Sequence, residues 1–462
     1  MIQIFLSATL CDLRAFAVNN SHTKPLPLLT RHFTLIPMNP VHSELCDPPR
    51  TLRLCGEKSS TLPERLVLSL LRKFPQGGLA LTYPDSKSLH FGETGAPITA
   101  RITLNNPAEF YKRCAFYGNI GMGEAYTDGI WDTPDIAAVI SWFAMNMTAL
   151  QGDASDSSTL PGVNLLKIVN WFRHLKRSNT VETSRRNIAE HYDLGNEFYS
   201  LWLDETMTYS SAKFTPETKT LAEAQTEKYD ALCRKLKLKP TDHVLEIGCG
   251  WGGFSHHAAQ NYGCKVTAVT ISEAQAAYAQ ARIEKAGLSD LVEIRIQDYR
   301  HITGKFDKVA SIEMLEAVGH KFHESFFAKC QEVLTPHGLL GVQYITVPDN
   351  RYQSLTKGVD WIQKVIFPGS LLLSVGRVNE AINKTGNMFL PHLEDLGLDY
   401  ARTLATWHET FNAKLEQIRP LGFDEPFIRT WNYYLKYCEA GFATRNISVV
   451  QAIYTRPNNV KL

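Results

Sequence analysis

The sequence predicts an α/β protein, with a mainly parallel, doubly wound, Rossmann-like sheet preceded by a smaller α+β unit. Beyond Lys239, β-like runs alternate with helical segments of roughly 10–14 residues, the pattern of parallel strands covered on both faces. The 462 residues are about three times a ~150-residue domain, which leaves room for two units. Gln151–Thr159 (QGDASDSST) has the low hydrophobicity of a linker between them. A hydrophobic share of 44% with 21% charged residues excludes a wholly disordered or collagen-like chain. Lys and Arg number 48 against 47 Asp and Glu, so the charge balance gives no reason to expect a nucleic-acid partner.

Residues 1–60 are rich in Pro, His and Asn, show no sustained period and form an N-terminal extension that resists interpretation. Met1–Leu10 is apolar but lacks a basic flank, so it reads as a strand or an extension and not as a signal peptide. Residues 61–150 make the small α+β unit. Its helix Leu62–Phe74 is stopped by Pro75-Gln76-Gly77-Gly78. Strands follow at Leu79–Tyr83, Leu89–Phe91 and Ala100–Leu104, the first two joined by a Pro84-Asp85-Ser86-Lys87 turn. Helices Glu109–Tyr117 and Ile136–Met147 are separated by the glycine-rich run Gly118–Asp132.

Residues 151–185 join the units and carry a basic amphipathic helix, Leu165–Arg177. Leu165, Ile168, Val169, Phe172 and Leu175 share one face, which suits a lipid interface or packing on the helix's own domain. No run approaches the ~18 apolar residues of a spanning helix, so membrane contact is expected to be peripheral. Nine scattered cysteines without a CxxC pair argue against a disulfide framework or a zinc site. No metal is expected, and a reducing, cytoplasmic compartment is the economical reading.

Residues 186–462 hold the main domain. Strands are expected at His243–Ile247, Cys264–Ile271, Val292–Gln297, Phe306–Ile312 and Gly338–Ile345, with helices at Gly252–Tyr262, Glu273–Ala286 and His323–Leu334. The first strand runs into Gly248-Cys249-Gly250-Trp251-Gly252-Gly253, a glycine loop that lets a ligand approach the backbone. Two features turn this loop away from NAD. Glu246 lies within the strand before it, and the second strand ends in Thr270-Ile271-Ser272 where an acidic residue would grip the NAD ribose. S-adenosylmethionine, with an ammonium and a sulfonium but no pyrophosphate, suits a carboxylate there better. Asp298 is placed to reach an adenine amino group or to cap a helix.

HYDLGNEFYSLWLDETMTYSSAKF (His191–Phe214), VLEIGCGWGGF, VTISEAQ, IQDYR, EMLEAVGH (Glu313–His320), WIQKVIFPGS (Trp361–Ser370) and CEAGFATRNISVVQAIY (Cys438–Tyr454) together resemble the cyclopropane-fatty-acyl-phospholipid synthase family, which includes the mycolic acid cyclopropane synthases. IGMGEAYTDGIWD (Ile120–Asp132) is loosely similar to the N-terminal domain of the bacterial phospholipid enzymes. The resemblance implies a class I S-adenosylmethionine-dependent methyltransferase acting on the cis double bond of acyl chains in membrane phospholipids, peripherally associated with the inner face of the membrane. It also implies that the N-terminal unit meets the membrane or mediates a homodimer. It assigns Tyr209, Ser210, Glu246, Gly248, Gly250, Gly252, Thr270, Ile271, Gln275, Asp298 and Tyr299 to the cofactor.

In the cyclopropane synthases the base is a bicarbonate ion held by Cys, Glu, His and Tyr side chains and a backbone group. Here Glu316 and Tyr434 match, but Ser211 stands for the Cys and Gln343 for the His, while Glu313 replaces a small residue. Either Glu313 or Glu316, oriented by Tyr434, replaces bicarbonate, or Ser211, Gln343 and Tyr434 still bind it. Loss of a proton from the new methyl closes a cyclopropane ring; otherwise a methylated or methylene-bearing chain is left. The departures weaken ring closure specifically, and relatives with similar EM-x-EAVG and IQK-x-IFPG variants include enzymes that make methyl-branched chains.

Overall fold

The computed structural model describes residues 60–151, 194–218 and 220–460. The expected extension, the basic helix Leu165–Arg177 and the start of the His191–Phe214 motif lie outside these residues.

A four-stranded sheet of order β2-β1-β3-β4 comes first, from β1 (Gly78–Thr82), β2 (Ser88–Gly92), β3 (Ile98–Leu104) and β4 (Trp131–Asp132). β1 pairs antiparallel with β2 and parallel with β3. Helix Leu62–Leu71, capped by the Thr61 hydroxyl, contributes Val67, Leu68, Leu70 and Leu71 to the core beneath. The glycine-rich run is not the expected separator. Helix Pro107–Thr127 continues through it with a kink at Gly118 (φ 57°). Its glycines serve close packing: a Cβ at Gly121 would lie 2.2 Å from the Arg113 carbonyl oxygen, and one at Gly123 2.5 Å from the Trp361 ring.

The larger sheet has seven strands in the order β10-β11-β9-β8-β5-β6-β7. β5 (His243–Ile247), β6 (Lys265–Thr270), β7 (Val292–Ile296), β8 (Phe306–Ile312) and β9 (Leu334–Thr346) are parallel, as the alternation predicts. β10 (Phe389–Asp395) and β11 (Ser448–Thr455) add an antiparallel edge that periodicity did not reveal. Chain order reverses between β5 and β8, the switch point where ligands bind in such sheets. Between β10 and β11 the chain makes helices Gly397–Ala413 and Glu425–Ala443, which roof the carboxyl ends of the strands. Trp202, Tyr209, Trp407 and Trp431 meet there, with Trp202–Trp407 centroids 5.8 Å apart and Tyr209–Trp407 5.3 Å. No helix among the described residues is long and apolar enough to cross a membrane.

Arg429 ties this roof to the small sheet. Its guanidinium donates to the carbonyls of Tyr126 (2.7 Å) and Trp131 (3.1 Å) and to the Asp132 carboxylate (2.7 Å). Arg429→Ala removes these three hydrogen bonds, the Tyr126 carbonyl keeping the one it accepts from the Gly129 N–H (3.0 Å), and is expected to lower unfolding stability in urea by about 1–3 kcal/mol. An unchanged midpoint would show that the contact contributes nothing.

Candidate active site

A cavity of about 380 Å³ opens beyond the carboxyl ends of the parallel strands, under the helical roof. Most of the residues expected at the cofactor line it: Tyr209, Ser210, Glu246, Gly248, Gly250, Thr270, Ile271, Gln275, Asp298 and Tyr299. Gly248 and Gly250 have φ of 85° and 50°, and a Cβ at Gly250 would meet open space. The backbone is therefore bare at Gly250, whereas a Cβ at Gly248 would fall 2.8 Å from the Met314 side chain. Gly252 (φ 79°) stands off the cavity, and a Cβ there would fall 2.9 Å from that of Ala279. Its place in the motif serves helix packing.

Glu246 is 3% exposed and accepts a hydrogen bond from the Ser255 hydroxyl. Burial pushes its carboxyl up to about 8, against the hydrogen bonds from Ser255. Thr270 donates to the Gln275 amide oxygen (3.2 Å), fixing that side chain at the end of β6. Asp298 takes the capping role the sequence offered, at the short turn Tyr299–His301, and also stands at the cavity wall. The Arg300 guanidinium grips it at 2.8 and 2.7 Å. Burial raises its carboxyl, but the Arg300 pair outweighs this and holds it below the ordinary value.

The second wall carries the other expected residues. Glu313 ends β8 in left-handed backbone (φ 47°), held by its N–H donating to the Gln343 carbonyl at 2.7 Å. Its Oε1 accepts from the Ser211 N–H and the Gln343 amide, both at 2.8 Å. Tyr400 adds a side-chain hydrogen bond. Glu313 keeps some exposed surface only because it lines the cavity. Burial raises its carboxyl, opposed by Gln343 and by the charge of Lys228. Glu316 Oε1 accepts from the Ile345 N–H at 2.5 Å, whereas Oε2 is buried with no hydrogen-bond partner. Burial and then the negative charge of Glu313 push this carboxyl up to about 8. Tyr434 and Tyr209 share a 2.7 Å hydroxyl contact.

Ser211 and Gln343 do not line the cavity but stand behind Glu313. The Ser211 hydroxyl donates to the Ala212 carbonyl (2.9 Å). The Gln343 amide donates to the Ser211 carbonyl and to Glu313, and accepts from Gln451 at 3.0 Å. Both side chains are committed to protein partners, and a carboxylate faces the space they back. These residues do not fit a bicarbonate ion. They do fit a cationic methyl donor, because the lining presents a bare glycine backbone and buried carboxylates.

Sequence reasoning missed Lys228, Tyr400 and Arg300. Lys228 is fully buried and donates to the Ser210 hydroxyl at 2.7 Å. Its signal was a lysine on the same helical stripe as Ala224, Gln225, Ala231 and Leu232, all buried.

Comparison with known proteins now decides the family. The sequence profile described as mycolic acid cyclopropane synthetase matches residues 179–452. The chain belongs to this family. Tuberculostearic acid methyltransferase UfaA1 of Mycobacterium tuberculosis is 34% identical over 400 residues, covering 85% of this chain and 90% of that protein. Cyclopropane-fatty-acyl-phospholipid synthase of Escherichia coli K12 is 35% identical over 360 residues, covering 77% and 88%. The solved structure of mycolic acid cyclopropane synthase CmaA1, complexed with SAH and CTAB, superposes with a TM-score of 0.54 at 28% identity, covering 59% of this chain and 98% of that one. The protein is thus an S-adenosylmethionine-dependent methyltransferase of the cyclopropane synthase family, with the class I fold.

The expectation that Glu246 holds the cofactor carries a pH dependence. With its carboxyl pushed up to about 8, a cationic ligand beside it would favour the ionised form, so binding below that pH would release a proton. The ratio of wild-type to Glu246→Gln affinity for S-adenosylmethionine, which cancels the ligand's own titration, should rise several-fold between about pH 6 and 8 and then level off. Calorimetric titration giving a flat ratio would remove Glu246 from cofactor binding.

Proposed function

We propose that this chain methylates the cis double bond of unsaturated acyl chains in membrane phospholipids and closes a cyclopropane ring, with Glu316 as the base. The observation that carries this reading is the unpartnered Glu316 Oε2, buried at the wall of the cavity. Bound S-adenosylmethionine supplies an electrophilic methyl group. Tyr209, Ser210 and the loop from Glu246 to Gly250 hold it, with Thr270, Ile271 and Gln275 at the ribose and Asp298 with Tyr299 at the adenine.

An alkene that accepts a methyl group becomes a carbocation, which water would quench. The aromatic roof over the cavity keeps water out. Glu316 Oε2 has no competing hydrogen bond, so it is free to take the proton, and its raised proton affinity suits the task. Glu313, fixed by Ser211, Gln343 and Tyr400, lies beside it and supplies the like charge that adds to this affinity. Lost from the new methyl, the proton's bonding pair closes the ring. The lipid chain reaches the cavity from a peripherally bound position at the cytoplasmic membrane face. A second reading, methylation without ring closure, rests on Glu313 and on the 34% identity, over 85% of this chain, to a tuberculostearic acid methyltransferase.

Dioleoyl phospholipid vesicles with methyl-trideuterated S-adenosylmethionine separate the two readings. Ring closure leaves two deuterium atoms in a fatty acid that resists mild hydrogenation, whereas proton loss from the chain leaves three, and loss from the methyl after a hydride shift leaves two in a methylene-bearing chain that takes up H2. Two, with no uptake of H2, are expected by mass spectrometry; three, or ready hydrogenation, would establish the second reading. Glu316→Gln should lower turnover about a hundredfold or more. Glu313→Gln removes a negative charge, so the acid limb of the pH profile should move to lower pH. Wild-type turnover in Glu316→Gln would remove Glu316 as the base.

A further inference from the structure

Part of the cavity wall is an apolar arm. Leu355, Leu372 and Ile447 line it, packed on the buried cluster of Val347, Tyr352 and Leu371. Helix Glu425–Ala443 runs along the cavity and turns Tyr434, Cys438 and Gly441 toward it. Tyr434 is tied to Tyr209 by their hydroxyls. Gly441 follows seven residues later, about 10 Å further along the helix at a rise of ~1.5 Å per residue. Its carbonyl accepts from the N–H groups of Asn446 (3.0 Å) and Ile447 (3.2 Å). The Asn446 carbonyl and side-chain oxygen in turn accept from Arg351 Nη1, at 3.1 and 3.0 Å. Arg351, on helix Asp349–Leu355, is thereby fastened at the end of the helix face opposite to the Tyr209–Tyr434 pair.

Arg351 is half-buried in the cavity wall, and among the described residues no carboxylate pairs with it. Arg300, the other arginine of the lining, is spent on Asp298. Asp360 also lines the cavity, but it caps helix Trp361–Val365 by accepting from the Gln363 N–H at 2.8 Å. A guanidinium carries five N–H donors, and taking it out of water without an anion is costly. A lone cation beside an apolar arm suits a ligand whose apolar chain ends in an anion. We propose that Arg351 binds the phosphodiester of the phospholipid substrate while the acyl chain lies along the apolar arm. This rests on the reading of phospholipid acyl chains as the substrate. The planar fork of the guanidinium matches phosphate oxygens, so the site reads the phosphate and is indifferent to the alcohol esterified to it.

Binding and turnover of the full chain test this separately. Monomeric dihexanoylphosphatidylcholine is titrated calorimetrically into protein loaded with S-adenosylhomocysteine, and its Kd should weaken about tenfold or more in Arg351→Gln. Dihexanoylglycerol, which lacks the phosphate, should bind both proteins alike. On dioleoylphosphatidylcholine vesicles Arg351→Gln should raise KM by a similar factor with kcat within about threefold, and dioleoylphosphatidylglycerol vesicles should show the same factor. If Arg351→Gln does not melt cooperatively, Arg351→Lys, which keeps the charge without the fork, should show a several-fold loss confined to the phosphate-bearing ligand. Equal Kd values for dihexanoylphosphatidylcholine, or a parallel loss for dihexanoylglycerol, would overturn the proposal. Inorganic phosphate should not compete with the lipid; competition that vanishes in Arg351→Gln would mark a free-anion site and overturn the lipid assignment. The two readings fail separately: turnover of phospholipid with an unchanged Arg351→Gln overturns the phosphate site alone, whereas a wild type that methylates no phospholipid overturns the substrate reading.

Discussion

Taking a carboxylate out of water costs several kcal/mol unless hydrogen bonds or opposite charge replace the lost hydration. This protein places Glu246, Glu313 and Glu316 around one cavity, and much of the surrounding structure supplies that replacement. Ser255 serves Glu246; the Ser211 N–H and the Gln343 amide serve Glu313; the Ile345 N–H serves one oxygen of Glu316. Lys228 is the buried cation common to two of them. Glu316 Oε2 is buried with no hydrogen-bond partner, and the Glu316 carboxyl is pushed up to about 8.

A dry site also needs cover. The parallel sheet by itself leaves the carboxyl ends of its strands open, and the chain closes them with the helices inserted between β10 and β11. These helices bring Tyr400, Trp407, Trp431 and Tyr434, while the segment from Phe198 to Tyr209 brings the rings packed against them. Large aromatic rings bury ~150–250 Å² each, so this cover is a core in its own right. It holds the tyrosine pair Tyr209–Tyr434 against the cavity, and through Thr403, which accepts from the Ala212 N–H, it meets the strand-end segment behind Glu313.

The parallel strands β5 to β9 were legible because buried apolar runs alternate with helical periods, and the glycine loop because its residues sit at a strand-to-helix turn. The edge strand β10 was not: Phe389–Asp395 is mostly exposed and carries His392, Glu394 and Asp395, so it has no apolar rhythm to read. The run after Gly118 misled because glycines that permit close approach to Arg113 and Trp361 look, in sequence, like loop glycines. The residues expected at the cofactor line the cavity, apart from Gly252. Lys228 and Tyr400 escaped because each belongs to an amphipathic helix whose buried face is set by tertiary contacts. The commitment of Ser211 to Glu313 and of Gln343 to Ser211 could not be read from spacing, since each joins residues more than a hundred positions apart.

Carboxylates of the chain, and not a bound bicarbonate ion, are proposed to receive the proton. The decisive comparison is the turnover of the wild-type enzyme in rigorously carbonate-free buffer against the same buffer after bicarbonate is added. Equal rates are expected in both. Activity that disappears without carbonate and returns on its addition would contradict the proposal.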